Sequence, residues 1–167
     1  MILPSLGYNN YKISGVAQVQ KNKSGEKFFN WIRHCKNTQL ISKKDSINAI
    51  NQSFNNGYSL LLASDQNAKK NGIENIFFNQ PTSTPKGAAI FHLKRNLPII
   101  FMFTIMKENY IYEFEIKLLE LNLNKHESSN DKIMAINQAY NIELENIVTK
   151  YPEQYFWFHR KWNKKNY

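Results

Sequence analysis

The stretch Gly57-Tyr58-Ser59-Leu60-Leu61-Leu62-Ala63-Ser64-Asp65-Gln66-Asn67-Ala68-Lys69-Lys70-Asn71-Gly72-Ile73 decides how the chain reads. Its first half is a short apolar run of the kind that makes a buried strand, and it stops abruptly at polar residues and a glycine. In an open α/β sheet, ligands bind outside the carboxyl ends of the strands. Asp65, Gln66 and Asn67 are therefore expected in a crevice rather than a core.

Working outward toward the N-terminus, residues 11–19 read as a strand after a Gly-Tyr-Asn-Asn turn. Residues 22–35 read as a helix, because Phe28, Trp31, Ile32 and Cys35 fall at helical spacing. A short strand at 39–41 follows. Asp45 or Ser46 then caps a helix with Ile47, Ile50 and Phe54 on its inner face, and Gly57 lies just beyond its end. The order β-α-β-α-β is the rhythm of a parallel or mixed sheet covered by helices, so the fold class is α/β with 60–63 as the central strand.

Toward the C-terminus, Thr84-Pro85 has the form of a helix start, Thr as cap and Pro in the first turn. That helix ends at Asn96-Leu97-Pro98. An apolar strand at 99–106 and an antiparallel partner at 110–118 follow, joined by a turn at Lys107-Glu108-Asn109. After a polar loop at 122–130, Ile133, Ile136, Tyr140, Leu144, Ile147 and Tyr151 form one stripe of a long amphipathic helix. No repeat or linker divides the chain, and one domain over 1–167 is expected.

Hydrophobic content of 42% and charged content of 21% are those of a globular protein. The formal charge of +9 favours anionic partners: nucleic acid, anionic lipid or an acidic protein. The basic residues are 19 Lys and 3 Arg, whereas base and phosphate readout leans on the Arg fork, which lowers the nucleic-acid reading. One cysteine, Cys35, permits no internal disulfide and suits a reducing compartment. The longest strongly apolar run, 97–106, is half of the roughly 20 residues that span a bilayer, so membrane association is expected to be peripheral. No His, Cys or acid cluster has metal-ligand spacing, and neither a metal nor a cofactor is expected.

Ser64-Asp65-Gln66-Asn67-Ala68, then Phe77-Phe78, then Pro81-Thr82-Ser83-Thr84-Pro85-Lys86-Gly87-Ala88-Ala89, resemble the bacterial lipid A late acyltransferases, the lauroyl/myristoyl transferase family. Tyr151-Pro152-Glu153-Gln154-Tyr155-Phe156-Trp157-Phe158-His159-Arg160-Lys161-Trp162 resembles that family's C-terminal signature. The resemblance runs from about Leu6 to Trp162. It implies the C-terminal part of a glycerolipid-acyltransferase-like domain that moves a fatty acyl group from acyl carrier protein to a hydroxyl of a lipid A precursor. The implied place is the cytoplasmic face of the bacterial inner membrane, on an anionic lipid surface, with no nucleic acid involved. The other open reading is a non-catalytic basic module that docks on anionic lipid or nucleic acid.

The resemblance also implies a catalytic His with a carboxylate five positions later, the His acting as general base on the acceptor hydroxyl. In the family this pair lies just upstream of the segment matching Leu6 onward, as does a membrane anchor. Residues 1–167 are therefore expected to lack the pair and to be inactive alone. His126 and Asp131 have the spacing, but Asp131 is better explained as an N-cap or first-turn acid of the last helix.

The resemblance puts Asp65 in the active-site crevice, positioning the acceptor sugar, and makes Arg33 a phosphate or oxyanion partner. A second basic position of the pattern is filled by Gln18. Loop support by Asp65 and Gln66 through backbone hydrogen bonds is the plainer alternative. Thr84, Lys86 and Gly87 open a helix, where free N–H groups favour an anion. His159, Arg160 and Lys161 follow a run of aromatics, which suits an interfacial segment and equally a buried lock with Tyr155, Trp157 and Trp162 in the core. If the family's site is intact, Asp65 and Arg33 share one wall of it.

Overall fold

The computed structural model describes residues 2–43, 46–123 and 128–162. The chain gathers into two compact units, Met1–Leu62 and Ala63–Tyr167. Asp45 and His126 lie outside the described residues.

The first unit contains α1 (Ile2–Tyr8), β1 (Ile13–Ala17), α2 (Lys23–Arg33), β2 (Thr38–Ser42), α3 (Ser46–Asn55) and β3 (Ser59–Leu61). Its three strands are all parallel, in the order β2-β1-β3. The α/β rhythm is as expected, but the centre of the sheet is β1 and the run at 59–61 forms an edge. β1 can be central because it is narrow: Gly15 lies under Leu3 of α1, and a Cβ there would sit 3.3 Å from the Leu3 side chain. Ser14 is also fully buried, accepting from the Ser53 hydroxyl of α3 (2.8 Å) and donating to the Ser59 carbonyl of β3 (3.2 Å).

Local signals set the helix ends. The Asn22 side chain accepts from the N–H groups of Ser24 and Gly25, capping α2. Gly57, at φ +77°, follows α3 and turns the chain into β3, a left-handed conformation open to glycine without strain. Phe28 and Trp31 of α2 are exposed, and so is Ile47 of α3, although the α3 face expected to point inward is buried at Ile50.

The second unit holds an antiparallel hairpin β4 (Gly72–Phe77) and β5 (Gln80–Pro85), then α4 (Gly87–Arg95). A second hairpin, β6 (Ile100–Met106) with β7 (Tyr112–Leu118), and the 22-residue helix α5 (Ser129–Lys150) complete it. The β6–β7 pair and its turn are as expected. The β4–β5 hairpin replaces the expected helix start. Thr84 is a strand residue opposite Ile73, fully buried, with its hydroxyl accepting from Asn141 Nδ2 (3.1 Å). With that oxygen engaged by α5 it cannot cap a helix, and α4 starts two residues later behind Lys86. At the far end of α4, Asn96 adopts the left-handed C-cap conformation.

α5 is capped by Ser128, whose Oγ accepts from the Asp131 N–H, and Asp131 is the first-turn acid. The helix carries two apolar clusters. Leu144 and Val148 meet Phe77 of β4 and Phe101 of β6, while Ile133 and Ile136 meet Ala89 of α4. Between them the stripe passes through buried Asn137 and Asn141. Their amides are satisfied by strand carbonyls: Asn137 Nδ2 donates to Pro85 (3.2 Å) and Asn141 Nδ2 to Ile76 (3.1 Å).

Candidate functional site

The two sequence blocks that look alike to one enzyme family meet in the second unit. After β3 the chain bends at Asp65 and Gln66 and then runs into β4. Asn67 fastens that bend to the C-terminal segment. Its N–H donates to Nε2 of His159 (2.9 Å), its Nδ2 donates to the Lys161 carbonyl (2.6 Å), and its Oδ1 accepts from the Lys69 N–H (2.7 Å). The Tyr155 hydroxyl donates to the Asp65 carbonyl (3.2 Å). From the other side, the Thr82 hydroxyl donates to the same Lys161 carbonyl (2.6 Å), Trp162 bridges to Thr82, and the Trp162 Nε1–H donates to the Phe77 carbonyl (2.8 Å).

Aromatic packing explains why the segment folds back. Phe77, fully buried, touches the rings of Tyr155 and Trp162, and Trp157 stacks on Trp162. The lock reading of this segment thus holds for Tyr155 and Trp162, which are partly buried, and fails for Trp157, which is exposed like Phe156, Phe158 and Arg160, while Lys161 is buried.

The electrostatics centre on Asp65, which is partly buried. Burial, followed by the charge of Asp65, pushes the Tyr155 hydroxyl up to about 12, and burial pushes Tyr140 well above its ordinary value. Both phenols are therefore neutral over the physiological range. Lys161 is only 1% exposed, and its Nζ lies 4.9 Å from the Phe77 ring centre with no hydrogen-bond partner among the described residues. Burial lowers its pKa to about 8, and Asp65 partly counters the fall. Sequence reasoning did not single out Lys161, Tyr140 or Asn141 as part of this centre. The signal for Asn141 was its place in the apolar stripe of α5. Lys161 carried none, since the groups that enclose it come from far along the chain.

Of the sequence candidates, Asp65 and Asn67 come together with the C-terminal block, and Gln66 is exposed beside them. Lys86 and Gly87 sit partly buried at the start of α4, with Thr84 buried behind them. Arg33 belongs to the first unit, in the last turn of α2, with its guanidinium over the Phe29 ring at 4.9 Å. A cavity of about 20 Å³ between Ser64, Pro85, Ala88, Ile99 and Tyr140 has room for one water and none for an acyl chain. Among the described residues, no group of three His, Cys, Asp or Glu could hold a metal ion, and no helix is long and apolar enough to cross a membrane.

A family model described as bacterial lipid A biosynthesis acyltransferase matches residues 3–164, running through both units and both blocks. No curated protein matches the chain.

Proposed function

The chain belongs to the bacterial lipid A biosynthesis acyltransferase family, and from that premise we propose that it serves to move a fatty acyl group from acyl carrier protein to a hydroxyl of a lipid A precursor. The two units then make up one acyltransferase domain, working peripherally at the cytoplasmic face of the inner membrane. The observation that carries the reading is the fastening of the Asp65 bend by the Tyr155–Trp162 segment, because it joins two sequence blocks that resemble the family.

In such a transfer the acceptor oxygen attacks the thioester carbonyl carbon, the C–S bond breaks, and the hydroxyl proton passes through a general base to the departing thiolate. Asp65 and the exposed Gln66 hold the acceptor sugar, with Asn67 fastening their bend and Thr84 behind the start of α4. Lys86, the N–H groups opening α4 at Gly87, and Arg160 take the phosphates. Arg33 offsets developing negative charge. The only His with an acid five positions on in residues 1–167 is His126, with Asp131. We assign the base to a His-acid pair outside these residues, so the 167-residue chain alone does not transfer at a useful rate.

The test compares the chain alone with the chain fused behind a segment bearing that pair, using acyl carrier protein thioester and a lipid A precursor. Expected is transfer only by the fusion, falling about a hundredfold with Asp65→Ala and with Arg33→Ala. Transfer by the chain alone, abolished by His126→Ala, would overturn the assignment of the base. Full activity of both variants would overturn the roles of Asp65 and Arg33.

A further inference from the structure

The positive charge is unevenly placed. The first unit holds eight Lys and Arg against two acids, Glu26 and Asp45, so it contributes six of the nine net charges in little more than a third of the chain. Glu26 is already engaged, accepting from the Gln20 N–H (2.6 Å) and from Asn30 Nδ2 (3.1 Å).

The same unit leaves large aromatics in solvent. Trp31 and Phe28 of α2 are 74% and 56% exposed, with their rings 6.2 Å apart, and Tyr8 of α1 is 74% exposed. Trp31 and Tyr8 line one open groove of about 960 Å³ with Pro4, Ile32 and Leu40 and the polar Asn30 and His34. Exposed Lys23 and Lys27 lie on α2 and exposed Lys36 just beyond it. A helix with Trp and Phe on one side and Lys around them is suited to the boundary between headgroups and acyl chains. There the rings enter the apolar layer and the ammonium groups meet phosphates.

We propose that α2 and the groove beside it are the face on which this protein docks to an anionic lipid bilayer, Phe28 and Trp31 entering the acyl boundary while Lys23, Lys27 and Lys36 meet lipid phosphates. The inference deepens the transferase reading and rests on it for the choice of a lipid partner. One observation favours a bilayer over a nucleic acid: the groove is lined mainly by the carbon of Pro4, Tyr8, Trp31, Ile32 and Leu40, with Asn30 and His34 its polar members and no guanidinium fork among its lining.

The experiment is co-sedimentation of the full 167-residue chain with vesicles of phosphatidylcholine alone, or with a third of the lipid replaced by phosphatidylglycerol. Expected is binding to the anionic vesicles only. It should weaken about tenfold or more in the Phe28→Asp, Trp31→Asp double variant, and more mildly in Lys23→Ala, Lys27→Ala, with a flatter salt dependence. Both pairs are exposed, and circular dichroism checks that the fold is kept. Equal binding by the aromatic variant overturns the proposal, as does equal binding to neutral vesicles. So does absence of vesicle binding with a dimer that the aromatic substitutions split, which assigns the face to a second copy, or with retention of a single-stranded oligonucleotide. Binding is read without turnover, so vesicle binding by the chain together with no transfer by the fusion bearing the His-acid pair sinks the transferase reading and leaves the docking face standing.

Discussion

Lys161 carries an ammonium group into a place where no group among the described residues accepts a hydrogen bond from it. Its carbonyl, held by Asn67 and Thr82, fixes the backbone, and its side chain lies against Phe77. Because burial lowers its pKa from 10.5 to about 8, the unfolded chain binds more protons than the folded one between those values, and stability rises with pH there. Tyr155 acts in the opposite sense above about pH 10. Its folded pKa is raised to about 12, so the unfolded chain gives up its proton first and stability falls. Thermal melts should show Lys161→Met at least as stable as the native chain near pH 7, since an apolar chain of similar volume removes the unpaired charge. That advantage should fade toward pH 10. A difference between the two proteins that stays constant from pH 7 to 10 would mean that Lys161 is not desolvated as described. Asn141 is the opposite case, a buried polar group with every need met. Asn141→Leu strands the Thr84 hydroxyl and leaves the Ile76 carbonyl to Gln138 Nε2 alone, and urea unfolding should show a loss of about 1–3 kcal/mol. Adding Thr84→Val should recover part of it.

Among the elements, the β4–β5 hairpin turns on two residues, Phe78 and Asn79, both at positive φ, in the pattern of a type I′ turn. Asn79→Gly should be neutral or stabilising, and Asn79→Val should cost about 1–2 kcal/mol in the same unfolding measurement. This turn also shows where the sequence stops being readable. Asn-Gly would have announced it. Phe-Asn does not, because Phe78 is held in that conformation by tertiary contacts, its ring against Phe77 and its N–H donated to Glu145 (2.8 Å). With the hairpin hidden, Thr84-Pro85 looked like a helix cap. Signals carried by one residue's own backbone preference were legible: Gly57 after α3, Asn96 after α4, Asn22 before α2. The spacing of Phe28, Trp31 and Ile32 gave the helix but not its environment, since periodicity is the same whether the apolar face meets protein, lipid or water. Asp65 was legible as a polar stop after an apolar run. Its neighbours Tyr140 and Lys161 were not.

For the molecule as a whole, the charge asymmetry between the units has a measurable signature. Raising ionic strength from about 0.01 to 0.15 M shortens the Debye length from about 30 to 8 Å, so vesicle binding should weaken steeply while the melting temperature moves little. Steep salt sensitivity of the melt instead would place the charges in folding rather than in association. The fastening of the Asp65 bend has a consequence in time. Asn67 takes its partners from His159 and Lys161, 92 and 94 positions further on. A ribosome that pauses just short of His159 has already made both hairpins, α5 and Tyr155, yet Asn67 still lacks its His159 and Lys161 partners. The Asn67 fastening therefore forms only after both hairpins and α5 have been made, and in refolding the Asn67 amide should be among the last to gain protection from hydrogen exchange.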